Sequence, residues 1–174
     1  MPRQRNRGVV DSATGMNPYN RLARAAFLAL GVCVLASASG FADSRYFTPA
    51  PGSKERAELM NVIRPSAIRH FGQPVVFRVD VLRVTDEWAF ILGAALQPDG
   101  SVVDYTKSPA YKKDPKTVQA EVDAGVLSSS VVALLKKDEG KWQIVTITFD
   151  STDVIWLNYD KQYGAPSYLV GPAN

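Results

Sequence analysis

Hydrophobic positions are densest from Val131 to Phe149, where two apolar runs flank the charged turn Lys137-Asp138-Glu139-Gly140. Going in, Val131, Ala133 and Leu135 alternate with Val132, Leu134 and Lys136; coming out, Trp142, Ile144 and Thr146 alternate with Gln143, Val145, Ile147 and Phe149. This period of two, rich in β-branched and aromatic side chains, predicts a β-hairpin, with Gly140 supplying the positive φ of a short loop. Upstream, Leu59, Met60, Ile63, Ala67, Ile68 and Phe71 recur at spacings of one, three and four, the signature of an amphipathic helix. Ser53 is its expected N-cap, Glu55 suits the positive end of its dipole, Gly72 closes it and Pro74 stops it from continuing. Pro65 has no N–H for the carbonyl of Asn61, which predicts a kink or a restart there.

Between helix and hairpin the pattern is again of period two. Val75, Phe77, Val79 and Val81 share one face of a strand; Leu82, Arg83 and Val84 break its phase, which predicts a bulge near Val81 or Leu82. Trp88 to Gln97 runs back, with Trp88, Phe90, Leu92, Ala94 and Leu96 on one face. Its other face (Ala89, Ile91, Gly93, Ala95) is small enough for a helix to lie close. Pro98-Asp99-Gly100 is a turn, and Val102 to Tyr105 is a brief continuation of the sheet. Thr106 to Lys116 has the composition of a surface loop, and Thr117 to Ala124 reads as one or two helical turns. Beyond the hairpin, Asp150-Ser151-Thr152 offers an N-cap for a short helix from Asp153 to Gln162, stopped by Gly164. The tail from Ala165 to Asn174, with its two prolines, is expected to pack loosely.

The predicted fold class is α+β: one long N-terminal helix packed on a curved four- to five-stranded antiparallel sheet, with a short C-terminal helix. This order resembles the cystatin-like and NTF2-like α+β folds. The run Ala133 to Val145, with Trp142 just after the Gly140-Lys141 turn, looks like the terminal hairpin of many NTF2-like domains. Segments such as Asp153 to Trp156 and Tyr163-Gly164-Ala165-Pro166 are similar to those of small exported proteins of Gram-negative bacteria. NTF2-like enzymes usually carry more helix before the first long strand, so with one long helix the cystatin-like variant is the closer likeness.

Charge adds an address. Residues 1–42 hold five arginines against Asp11, for a net +4, whereas residues 43–174 hold 15 Lys and Arg against 16 Asp and Glu, for −1. The basic pI therefore belongs to the N-terminus, and the remainder has no basic footprint for a nucleic acid. Arg21 and Arg24 precede the apolar run Ala25 to Ala38, 14 residues long. That is short of the roughly 20 needed to span a bilayer and suits a signal peptide. Cleavage is expected after Ala38 or Ala42, so the membrane is met only through this segment, and Met16 is an alternative start. The domain reading is then 1–42 as extension and signal peptide, 43–52 as an extended lead-in and 53–174 as a single α+β domain. Cys33 lies within the apolar run, preceded by Val32 rather than by the small residue that a lipid-attachment cysteine requires. The mature chain has no cysteine, hence no disulfide and no thiol chemistry.

Candidate chemistry is sparse. His70 is the only histidine; near a helix C-terminus it reads as a capping or solvated residue rather than a catalytic base. No metal-binding spacing and no Gly-rich phosphate loop is present, so neither a metal nor a cofactor is expected. The acids read as structural: Asp153 capping, Asp99 turning, Asp104 solvated. In NTF2-like isomerases an acid and a tyrosine hydroxyl act inside the cone, and Asp104 with Tyr105, Tyr111 or Tyr159 is the pair that resemblance implies. The basic, aromatic cluster Tyr111-Lys112-Lys113 has the chemistry to meet anionic glycan or lipid headgroups. Trp156, Tyr159 and Tyr163, with Trp142 and Tyr168, have that to line a groove for sugar or peptide. The candidate binding surface is therefore Tyr105, Tyr111, Lys112, Lys113, Trp156, Tyr159 and Tyr163, with no catalytic residue assigned. The function expected is that of a periplasmic, non-catalytic binding or accessory domain. Its partner is an envelope protein, a glycan or a small ligand. The alternative is a small NTF2-like enzyme or ligand carrier with a pocket between helix and sheet.

Overall fold

The structure, a computed structural model, describes residues 45–171. The expected signal segment, both cleavage positions, Met16 and Cys33 lie outside the described residues. Helix α1 spans Lys54–Phe71. The Ser53 hydroxyl accepts the Arg56 N–H, and the Gly72 N–H donates to the carbonyl of Ile68. The helix runs through Pro65 without restarting. The carbonyl deprived of a donor belongs to exposed Asn61, where water can serve it. Gly72 is required twice over. Its φ is +67°, and a Cβ there would lie 2.0 Å from the carbonyl oxygen of Lys107. That close approach holds the segment around Lys107 against the end of α1.

Four strands follow: β1 (Val76–Val84), β2 (Trp88–Leu96), β3 (Ser130–Asp138) and β4 (Lys141–Phe149). They form one antiparallel sheet in the order β1-β2-β3-β4. No fifth strand forms among the described residues. The lead-in contributes one bridge, Phe47 to Val84, and Val102 one to Leu96. The β3–β4 loop has two residues, Glu139 and Gly140, both with positive φ, matching the twist of the hairpin.

Two register shifts decide which side chains share a face. The first falls at Asp80, between Val79 and Val81, close to where the broken phase placed it. The second, at Val145, corrects the simple alternation expected for β4. Because two residues there oppose one, Ile147 and Phe149 join Trp142 and Ile144 on one face, while Thr146 moves to the other.

On the first face, Leu59, Ile63, Ala67 and Phe71 of α1 share one buried cluster with Leu82, Val84, Ala89, Ile91, Ala95, Ala133 and Leu135. Trp88, Phe90, Val132 and Leu134 form a second cluster, and these residues alternate with the first set along β2 and β3, so they occupy the opposite face. Its cover comes from the C-terminus, which departs from expectation. In place of one helix from Asp153 there is a 3-10 turn, Ile155–Asn158, then α4 (Tyr159–Tyr163) and α5 (Ser167–Val170). Far from packing loosely, the tail buries Ala165, Leu169 and Val170 to 4%, 0% and 1% exposure. A guanidinium secures it: Arg83 donates to the carbonyls of Leu169 and Gly171. With two covered faces, β3 buries Val131 to Leu135 without a break.

The expected loop from Thr106 to Lys116 is largely helical. It holds a 3-10 turn (Tyr105–Lys107), α2 (Pro109–Lys113) and the start of α3 (Pro115–Asp123). Each α-helix carries proline at its first position after a Ser108 or Asp114 cap, where the missing N–H costs nothing.

Leu169→Ala tests whether the tail belongs to the core. A loss of about 2–5 kcal/mol in equilibrium denaturation is expected for a fully buried leucine; a loss under about 1 kcal/mol would mean that the tail is dispensable.

Candidate functional site

The last turn of α1 presents His70, whose side chain is 40% exposed. Its ring stacks on Phe149, centroids 4.6 Å apart, and meets Phe71 edge-on at 4.7 Å. Phe149 lies on this face because of the Val145 bulge, and the same bulge carries the next residue, Asp150, to the end of α1. Asp150 has φ +57° and Ser129, at the neighbouring strand end, φ +50°. Two non-glycine residues in the left-handed region side by side are strained, and the hydrogen bonds that they share hold them there.

Asp150 is the hub. Its Oδ2 lies 2.8 Å from Nε2 of His70. Its Oδ1 accepts the hydroxyl of Tyr105 and, at 2.9 Å, the backbone N–H of Ser129. That N–H is shared with the Tyr105 oxygen at 2.8 Å. The Asp150 side chain is 11% exposed, so these bonds form largely away from water. Tyr105 reaches the hub from its 3-10 turn, which Asp104 caps by accepting from Thr106. Buried Gln73 ties the same segment to the end of α1, donating to the carbonyls of Asp104 and Phe71. Burial, and then the bond to Asp150, push the Tyr105 pKa well above the ordinary tyrosine value. Asp104 titrates low because Thr106, and secondarily Lys107, favour its carboxylate.

Beside the hub lies a cleft of about 250 Å³ between the end of α1, α2, α3 and Asp150. Ala110, Val118, Leu127 and the Tyr105 ring form its walls; His70, Asp150, Ser108 and Glu121 also border it. Larger hollows lie elsewhere, one of about 480 Å³ beside Trp142 and one of about 400 Å³ beside Trp88 and Tyr168. Neither encloses a hydrogen-bonded titratable pair among the described residues.

The arrangement has definite chemical capacities. The His70 ring contacts the Asp150 carboxylate through Nε2; as a neutral imidazole donating there it has Nδ1 as an acceptor, and as an imidazolium it donates from both nitrogens. Ser108 is not poised as a nucleophile: it is 3% exposed and its hydroxyl accepts the Tyr111 N–H as the cap of α2. No group of three or more His, Cys, Asp or Glu among the described residues is placed to hold a metal ion.

The anticipated surface divides in two. Tyr105 is 9% exposed at the hub, and half-buried Tyr111 packs on the same cluster as α1. Lys112 and Lys113 are exposed in the last turn of α2, where cations suit the helix dipole. Trp156, Tyr159 and Tyr163 belong to the cluster on the opposite face of the sheet. Burial raises the Tyr159 pKa, partly offset by Thr148 and Thr146, yet its buried hydroxyl has no partner in hydrogen-bond geometry. Asp104 is not the acid beside Tyr105; that acid is Asp150, which caps no helix. Sequence reasoning missed the Asp150–His70–Ser129 set. The available signal was register, since the pairing of Val131 with Phe149 sets Asp150 beside the Ser129–Ser130 backbone.

Comparison with protein-family models, with characterised proteins and with solved structures finds no match to this chain.

Alkaline denaturation checks the hub. The folded state keeps the Tyr105 phenol neutral at pH values where the unfolded chain ionises it. Its contribution is therefore whole below about pH 10 and is lost as pH rises further. Stability measured from about pH 9 to pH 11 should fall more steeply in the wild type than in Tyr105→Phe; parallel curves would place the hydroxyl outside the network.

Proposed function

We infer that the chain is an exported, periplasmic binding or accessory domain of the cell envelope, acting without catalysis. Its architecture is read as cystatin-like or NTF2-like, with α1 laid across a curved sheet. The observation that carries this reading is the filled interior. Leu59, Ile63, Ala67 and Phe71, each 0% exposed, share a cluster with Ile91, Ala133 and Leu135, at 1%, 0% and 0%, so the middle of the space between helix and sheet is filled, and the hollow between α1 and β4 beside Trp142 opens at the rim among exposed Glu58, Asn61 and Lys141. Polar groups are displaced to the rim, where the cleft beside His70 is a recognition site rather than a reaction vessel. The basic excess of residues 1–42 and the apolar run after Arg24 support export.

A second reading rests on a specific observation, the Asp150–His70 pair at the edge of that cleft. A carboxylate-oriented imidazole is the apparatus of general acid–base catalysis, and it keeps a small enzyme as the alternative.

One preparation separates the two. The ¹⁵N-labelled chain, recovered from the periplasm, should begin at Ser39 or Asp43. Added to the small-molecule fraction of an envelope extract, it should show amide shifts confined to the cleft around Tyr105, Leu127 and Ser129, with no component consumed. A chain retaining Met1 or Met16, or shifts only elsewhere, contradicts the reading. Steady consumption of a component, abolished by His70→Gln, establishes the enzyme instead.

A further inference from the structure

The cleft beside His70 also has a charge preference, and this inference rests on the reading of the chain as a binding domain. We propose that it takes a small organic ammonium ion, the cationic head held by Asp150 and Glu121 and the apolar body against Val118 and Leu127. Size sets the first limit. At about 250 Å³ the cleft lies below the roughly 300–1,000 Å³ typical of drug-sized ligands. Its occupant is a molecule on the scale of a single ring or a short alkyl chain.

The polar inventory sets the second limit. Two carboxylates, Asp150 and Glu121, border the cleft. Among the described residues Asp150 Oδ2 is bonded only to His70, since Tyr105 and Ser129 both donate to Oδ1. Glu121 makes no ion pair among the described residues. His70 Nε2 is committed to Asp150. A donor-rich cation satisfies both carboxylates. An anion would face two carboxylates with neither lysine nor arginine in the lining, and a neutral apolar molecule would strip water from them without return. The lysines of this region do not alter that balance. Lys107 sits 3.4 Å from Asp104, and Lys112, Lys113 and Lys116 are exposed outside the cleft.

The test uses three isosteric probes on the ¹⁵N-labelled mature chain at matched ionic strength: benzylammonium chloride, benzyl alcohol and sodium benzoate. Benzylammonium should shift amides around Tyr105, Val118 and Leu127 saturably, with Kd about millimolar for so small a ligand. It should bind about tenfold more tightly than benzyl alcohol, and benzoate should not bind. Two surface variants guard against misfolding as an explanation. Ala110→Phe, at an exposed position that borders the cleft, should fill it and abolish the response. Glu121→Lys should reverse the order, so that benzoate binds and benzylammonium does not. Equal responses to all three probes, or responses indifferent to both variants, overturn the proposal. Shifts with the envelope extract but none with benzylammonium overturn the ammonium assignment and leave the binding reading standing. Silence toward both overturns the two together.

Discussion

One carboxylate organises the functional end of this molecule. Asp150 bonds to the last turn of α1 through His70, to the 3-10 turn through Tyr105 and to the start of β3 through the Ser129 N–H. Those three segments are far apart in sequence, and helix–sheet packing alone does not fix their relative positions to within a hydrogen bond. Removing the carboxylate takes the acceptor from the buried Tyr105 O–H and leaves the Ser129 N–H with the Tyr105 oxygen alone, so two left-handed residues lose support. The polar hub exists at the rim because the interior has no place for it.

That exclusion follows from how the sheet is covered. β2 and β3 are apolar on both faces, so one face shares its core with α1 and the other with the C-terminal segment. Gly93 shows how tightly the strands sit: a Cβ there would fall 2.1 Å from the Arg78 carbonyl oxygen. With both sides filled, the hydrogen-bonded pair Asp150–His70 lies where a strand end meets a helix end. The cleft and its acceptors are found where α1, the sheet and the α2–α3 segment converge.

Much of this was legible in the residues. Ser53, Gly72 and the apolar spacing of Leu59 to Phe71 define α1, and alternation with a turn at Gly140 defines the hairpin. The small face of β2, Ala89-x-Ile91-x-Gly93-x-Ala95, is buried in the cluster that includes α1. Three of the failures turned on a contact between distant segments, whereas Thr106 to Lys116 is helical for a local reason, the Ser108-Pro109 and Asp114-Pro115 helix starts. Val145 reads as an ordinary outward position until its pairing shows a bulge, and that one residue moves Phe149 to the face where it stacks on His70. The tail looked too proline-rich and short to matter because its partners, Phe90 and Leu134, lie more than 30 residues upstream. Asp150 had the local sequence of a helix cap, and its true partners lie 21, 45 and 80 residues away.

The claim that Asp150 holds three segments together is tested most directly by equilibrium unfolding of Asp150→Ala at neutral pH. Depriving the Tyr105 hydroxyl of its acceptor and the Ser129 N–H of one of its two acceptors should cost at least about 2 kcal/mol and lower the hydrogen-exchange protection of the Ser129 amide. A variant within about 0.5 kcal/mol of the wild type, with that amide no less protected, would show that packing alone positions the site.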